Sequence, residues 1–415
     1  MITRIEALNY RCLRYVAQDL GPFHVLVGPN ASGKSTFLDV PALIRDLLQE
    51  GLEATVASRA PNYRDLFWQQ EGQSFALAVE AEIPEQVRAR LRNNGPTHVR
   101  YELSIGESEE AGELQIIHER LKLRPPPRPA RPLRQPRLFP APGQPRKSIF
   151  LRSTKGWKTL INKVPGGNDN FYSETGSWDH AFKLGPRKSA LANVPDDETK
   201  FPVATWFKQL MMQGVERLAL NSAAMRRPCP PTVPRTFLPD GSNLPWVVQQ
   251  LESKHEDLLG EWVRHVATAL PDLRNIRSIE RPEDKHRYLV LEYENGLGIP
   301  SWVVSDGTMR MLALTVLAYL PGLSGVYLIE EPENGIHPAA VETVFDSLTS
   351  VYDGQVLLAT HSPVILSVAD VRQVLCFARD GEGAADIVPG GQHPNLRHWR
   401  GESNLGVLFA SGVLG

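Results

Sequence analysis

The chain has 415 residues, 42% of them hydrophobic and 22% charged, and a formal net charge of -2. That length fits two subdomains better than one core, and the charge balance excludes a nucleic-acid footprint over the whole surface. Three widely spaced cysteines, Cys12, Cys229 and Cys376, exclude a disulfide framework and a zinc set and fit a reducing cytoplasm.

The opening MITRIEALNY has neither the basic n-region nor the apolar h-region of a secretory signal. Ile2 to Leu8, Leu13 to Val16 and Phe23 to Val27 read as short strands. Asn9-Tyr10-Arg11-Cys12 lies between the first two, and Arg11 or Arg14 either reaches a nucleotide or is a solvated strand-end charge. The third strand runs straight into Gly28-Pro29-Asn30-Ala31-Ser32-Gly33-Lys34-Ser35, followed by Thr36. This matches G-x-x-x-x-G-K-[ST] at every fixed position. Glycines let successive backbone N–H groups converge on phosphate oxygens. Lys34 brings a point charge to the outer phosphates, and Ser35 offers a hydroxyl to Mg²⁺. A helix starting near Lys34 puts its positive end under the same phosphates. Phe37, Leu38, Val40, Leu43, Ile44 and Leu47 give it an apolar face. ATP and Mg²⁺ are the cofactors this pattern implies.

The runs Ser74 to Ala81, His98 to Ile105 and Leu114 to His118 have strand-like content and suggest an inserted β-lobe. Residues 120–163 change character, with 13 Lys or Arg, nine prolines and no acid. Such proline density forbids a regular helix and favours extended or irregular backbone. The charge suffices to engage several phosphates of DNA or RNA. The alternative is a strap over an acidic surface of the same protein. Phe150 and Trp157 either stack on bases or anchor the segment to the lobe. Residues 164–200 read mostly as loop. Helices are expected from Ala204 to Leu220 and from Pro245 to Leu270, and a strand from Tyr288 to Tyr293. No sustained heptads occur here, which excludes long coiled-coil arms.

Ser305-Asp306-Gly307-Thr308-Met309-Arg310 opens an apolar helical run. A serine and a glycine at a helix start can point hydroxyl and N–H groups at a phosphate. The run Met309 to Tyr319 is too short to span a bilayer, so no membrane contact is expected. Next comes the apolar stretch Gly325 to Ile329, ending in Glu330 and Glu331 and continuing as Pro332-Glu333-Asn334-Gly335-Ile336-His337-Pro338. Successive residues at a strand end diverge, so the two acids can do different work. Glu330 suits hydrated Mg²⁺, and Glu331 suits polarising an attacking water. A further buried-type strand, Gln355 to Ala359, leads to Thr360-His361-Ser362-Pro363. A histidine placed there can bond a γ-phosphate and the attacking water. Gly381 to Gly391 reads as loop, and Leu405 to Leu414 as a short docking element. Too little chain follows His361 for a nuclease domain with clustered acids, so any nuclease effector is expected as a separate chain.

These four motifs, in this order, resemble the ATP-binding-cassette ATPases of the recombination-protein-F, Rad50 and SMC branch. The likeness is closest to compact ATPases grouped with the overcoming-lysogenization-defect (OLD) proteins. It rests on Leu8-Asn9-Tyr10-Arg11, Ser305 to Arg310, Glu330 to Pro338, Thr360 to Pro363, and the stretches Arg400-Gly401-Glu402 and Leu405-Gly406. The resemblance implies an α/β P-loop NTPase of the ABC/SMC-type head. Its core is expected at 1–65 and 285–415, with a β-rich lobe at 66–200 and a helical subdomain at 201–284. It implies a homodimer with composite ATP sites. One chain would supply Lys34, Ser35, Glu330, Glu331 and His361. The other would supply Ser305 and Gly307, with Asn334 near the seam. Glu330 stands where many relatives carry Asp. The Q-loop glutamine has no clear position, with Gln69 and Gln70 as candidates. The function implied is ATP hydrolysis that couples nucleic-acid sensing to an effector in prokaryotic antiphage defence. A repair or recombination ATPase is the alternative. A transporter subunit is a remote one, since the Leu-Ser-Gly-Gly-Gln signature is missing.

Overall fold

The computed structural model describes residues 1–91, 95–108, 112–126, 147–151, 155–164, 166–176, 179–393 and 405–410. The centre of the basic segment and Arg400-Gly401-Glu402 lie outside them.

The phosphate-loop strand sits near the middle of a six-stranded sheet. Its order is β10 (Val215–Leu218), β14 (Gly325–Glu330), β15 (Gly354–Ala359), β3 (Phe23–Val27), β16 (Val374–Arg379) and β17 (Ala385–Pro389). All neighbours are parallel except β17, which returns antiparallel at the edge. Parallel strands covered on both faces need apolar residues at nearly every position. Leu26, Leu328, Leu357 and Phe377 pack on one side with Phe37 and Leu38. Val25, Ile329, Leu358 and Cys376 pack on the other with Met311, Leu312 and Val344. The helix Lys34–Glu50 is buried on almost every side because a second sheet covers it.

That second sheet has eight antiparallel strands. They run β2 (Leu13–Asp19), β1 (Ile2–Tyr10), β4 (Ser74–Glu82), β5 (His98–Glu107), β6 (Leu114–Arg124), β7 (Lys158–Lys163), β8 (Asp169–Tyr172) and β9 (Asp179–Phe182). The strands of the expected lobe are thus continuous with the N-terminal hairpin. β4 pairs with β1, Ile5 opposite Val79 and Ala7 opposite Leu77, and so covers an edge that would otherwise stay open. The two ends of the basic segment are strands as well, in β6 and β7.

Several local expectations need correction. The helix expected over 204–220 spans Pro202–Gln213 and stops at Gly214. The next four residues form β10, because Val215 to Leu218 pair in parallel with Val326 to Ile329. The helix expected over 245–270 is two helices, Leu244–Lys254 and Glu256–Ala267, broken at the non-helical backbone of His255. Glu256 and Asp257 restart it favourably at the positive end of a new helix. Residues 201–284 therefore carry strands too. β11 (Leu273–Glu280) joins β12 (Arg287–Tyr293) and β13 (Gly298–Pro300) in a small antiparallel sheet. Residues 169–182 contribute β8 and β9 rather than loop, and the glycine-rich stretch near 385 forms β17. The tail helix Leu405–Ala410 packs on the helix Pro363–Val368 through buried Leu405.

The start of the helix Pro202–Gln213 has no cap from its own N-cap residue. Glu174 supplies one from the lobe, accepting from Val203 N at 2.7 Å and Ala204 N at 2.8 Å. Burial pushes this carboxyl up to about 7. A raised folded-state value means the native state holds the extra proton between the ordinary carboxylate range and pH 7, so stability falls as pH rises through that window. Thermal unfolding from pH 4.5 to 7.5 should show this loss in the wild type. Glu174→Gln should remove a component on the order of 2–3 kcal/mol; an identical pH slope in both proteins would reject the assignment.

Candidate functional site

β3 ends at Val27, the chain turns through 28–33, and the helix begins at Lys34. Gly33 caps it at φ 104, a left-handed conformation that a β-carbon disfavours. A Cβ there would also lie 2.9 Å from the Ala385 β-carbon and 3.1 Å from Cys12 Sγ. Lys34 is only 7% exposed and folds back over the loop, donating to the carbonyls of Gly28 at 2.8 Å and Pro29 at 2.9 Å. Those carbonyls are partners an ammonium can exchange for phosphate oxygens. Burial lowers the lysine to about 8, against the opposing pull of Glu331 and Glu330. Ser32 Oγ is buried and has no hydrogen-bond partner among the described residues.

β14 brings its two terminal carboxylates to the same edge, beside β15 and one strand from β3. Glu330 accepts from the Ser35 hydroxyl on one oxygen and from Arg217 at 2.5 Å on the other. Glu331 has φ 47 while its N–H still bonds Ala359 O at 2.8 Å. Backbone outside the common regions at a strand end turns this carboxylate away from Glu330. Asn334 donates to Glu331 from the following turn. Glu333 ties that turn to the neighbouring strand end, accepting from Thr360 Oγ1 at 2.5 Å and His361 N at 3.2 Å. Burial and then Lys34 lower the His361 ring, which favours its neutral form, against the opposing pull of Glu331 and Glu333.

These groups line one cavity of 360 Å³. Arg11, Asn30, Ala31, Ser32, Gly33, Lys34, Ser35, Thr36, Glu330, Glu331 and His361 all face it. Gly28 and Pro29 lie behind, holding Lys34. Loop N–H groups, an ammonium, a hydroxyl and two carboxylates together can hold a phosphate chain with its divalent cation. Arg11 also donates to Arg59 O at 3.0 Å. Arg14 is drawn off into a pair with Glu382. Gln69 and Gln70 take two consecutive left-handed conformations but do not line the cavity.

Ser305, Gly307 and Asn334 stand outside it. Ser305 is exposed and caps the helix Asp306–Thr315, its hydroxyl accepting from Thr308 N at 3.2 Å. Gly307 is required for a close approach, since a Cβ would sit 2.1 Å from Gly335 O. The helix start thus rests on the turn that carries Asn334. Sequence reasoning missed Arg217, Glu333, Cys12 and Arg379 at this site. Glu333 lay inside the recognised Glu-Pro-Glu-Asn run. Arg217 had no signal, because its segment read as helix.

The family described as "AAA domain, putative AbiEii toxin, Type IV TA system" matches residues 23–367. Among solved structures, the chain is similar to an Smc head bound to the C-winged helix domain of ScpA. Identity is 14% and the TM-score 0.54, over 93% of this chain and 96% of that one. It is also similar to an Smc head domain with an extended coiled coil, bound to the C-terminal domain of ScpA and derived from Pyrococcus furiosus. Identity is again 14%, with a TM-score of 0.52 over 93% and 95% of the two chains. These likenesses establish an α/β P-loop NTPase fold of the ABC/SMC head type. No curated protein is significantly similar to the chain.

A lysine near 8 has a direct consequence for anion binding. Its charge is lost as pH rises through that value, and a bound phosphate favours the charged form. Affinity for a triphosphate should fall about tenfold between pH 7 and pH 9 by linkage. Calorimetric titration of wild type and Lys34→Arg measures it; the arginine variant should show a flatter profile, and equal slopes would refute the assignment.

Proposed function

The chain belongs to this AAA-domain family, and from that premise we propose that it is a Mg²⁺-dependent ATPase acting as a homodimer of heads. The observation that carries the reading is the division of the motifs. Lys34, Ser35, Glu330, Glu331 and His361 converge from separate stretches on one cavity. Ser305 and Gly307 stand at an exposed helix start outside it. A second copy can bring that helix start to the open side of the cavity, with Asn334 beside the seam.

In this reading the loop N–H groups and Lys34 hold the β- and γ-phosphates. Ser35 and Glu330 hold Mg²⁺, which supplies Lewis-acid neutralisation of phosphate charge. Glu330 must first exchange its bonds to Ser35 and Arg217. Glu331 accepts the proton of the attacking water, and neutral His361 orients that water and the γ-phosphate. Asn334 and Glu333 position Glu331 and His361 respectively. Ser305 and Gly307 of the second copy cover the γ-phosphate. The nucleotide then belongs to the interface, so binding closes the heads and hydrolysis releases them.

The closing motion passes nucleic-acid binding on to an effector in prokaryotic defence. The family description, which names a toxin of a toxin–antitoxin system, supports that setting over repair. In this reading the effector is a separate chain, a nuclease for example. Purified alone, the protein should hydrolyse ATP and leave DNA and RNA intact.

Glu331→Gln keeps the phosphate ligands and removes the base. It should lower turnover by a factor on the order of 10² to 10⁴ and trap ATP-bound dimers. Sedimentation of E331Q with Mg·ATP should give a heavier species than without nucleotide, and Lys34→Ala should not. Undiminished turnover in E331Q, or a monomer under all conditions at micromolar protein, would defeat the reading.

A further inference from the structure

A second cavity, of 680 Å³, lies on the eight-stranded sheet away from the phosphate loop. Its floor comes from β6, β7 and β8, and one wall from Phe150 and Leu151. Among the described lining residues Arg120, Lys122 and Lys158 are cations and Asp179 is the one carboxylate. Glu102 offsets Lys122 from behind the wall, which leaves Arg120 and Lys158 to attract an anion.

The cations are held in place by the fold. Arg120 Nε donates to Asn162 Oδ1 at 3.0 Å, and its guanidinium stands 5.5 Å from the Phe150 ring centre. Lys122, almost wholly buried, is held by Leu151 O at 2.6 Å and Glu102 at 3.1 Å. Lys158 reaches Ser173 O at 2.7 Å. A bare phosphate would leave most of this volume unfilled. Phe150 and Tyr172 add aromatic surface, and Asn162 and Thr159 add groups that both donate and accept. Cations for a phosphate, rings for stacking and an amide for a base edge are the parts needed for one nucleotide.

We propose that this cavity binds a nucleoside monophosphate unit, separately from the ATP site. The unit is either a free nucleotide or one residue of a single-stranded nucleic acid. This names the recognition site for the nucleic-acid half of the function proposed above and rests on it. The wall is fixed to the sheet, since Leu151 N donates to Glu102 at 3.0 Å and its carbonyl holds Lys122.

The test uses the full chain carrying Lys34→Ala, so that the phosphate loop contributes little. Probes are 3′-fluorescein ten-mers of oligo(dT) and oligo(U), with the four nucleoside 5′-monophosphates as competitors, at 100 mM salt. Arg120→Gln with Lys158→Gln should weaken probe binding at least tenfold without moving the thermal midpoint. Should that pair prove unstable, Lys158→Glu at its exposed position carries the same test. Displacement by monophosphates at concentrations comparable to the oligomers identifies a free nucleotide; binding of oligomers alone identifies a strand. No binding of either kind, or equal affinity in the substituted proteins, overturns the proposal. ATP turnover is read in parallel with Lys34 intact. The cavity variants should retain wild-type turnover, and a wild type without turnover would fail the ATPase reading while leaving the cavity to its own binding result.

Discussion

Everything at the phosphate loop depends on the helix Lys34–Glu50 being buried between two sheets. A helix in that position can leave its unsatisfied N–H groups open only at its end, where the carboxyl edge of the parallel sheet exposes them. The same burial explains the low exposure and lowered pKa of Lys34. It also fixes the neighbours. β14 and β15 lie beside β3 in register, so Glu330, Glu331 and His361 arrive at one edge without long loops. The internal Asp39 on this helix is held by Tyr10 and by Arg59 at 3.0 Å, which locks the helix to the N-terminal hairpin.

The outer face of the eight-stranded sheet obeys a different rule. Arg100 is 0% exposed and bonds Glu6 at 3.0 Å, Glu80 at 2.8 Å and Glu102 at 2.8 Å. Removing one partner from such a buried set leaves an uncompensated charge, which is costly even where the intact set adds little net stability. Arg100 also donates to Ile149 O at 2.8 Å. The stretch 149–151 is therefore a strap across acidic residues of the same protein. Phe150 packs against that face with Leu8 and Ala76, and Trp157 lies within 6.0 Å of Lys122. Trp157 anchors its segment to the lobe, and Phe150 anchors its own while still lining the basic cavity.

A covalent and hydrogen-bonded path joins this face to the phosphate loop. Ser173, which holds Lys158, adjoins Glu174, and Glu174 caps the helix Pro202–Gln213. That helix leads through Gly214 into β10, where Arg217 bonds Glu330. Spatial continuity of this kind is a route for coupling only if one of its elements has two arrangements. The Arg217–Glu330 contact is the natural element, because Glu330 cannot serve the cation and the guanidinium equally well.

What the sequence determined by itself is the local chemistry. Gly28 to Ser35, Glu330 to Pro338 and Thr360 to Pro363 each depend on residues a few positions apart, and β3, β14 and β15 read as apolar runs because both faces are buried. The tertiary structure decided what depends on pairing across long separations. Val215 to Leu218 looked helical because strand identity there comes from an empty edge beside β14, not from its own composition. Arg379 lines the cavity and Arg217 reaches Glu330 for the same reason, and the lobe strands merge with β1 by pairing of the same kind. Apolar and polar or charged residues alternate along β5 and the end of β6. That the charged side would be covered by 149–151, and leave a basic cavity beside it, follows only from which backbone folds over which face.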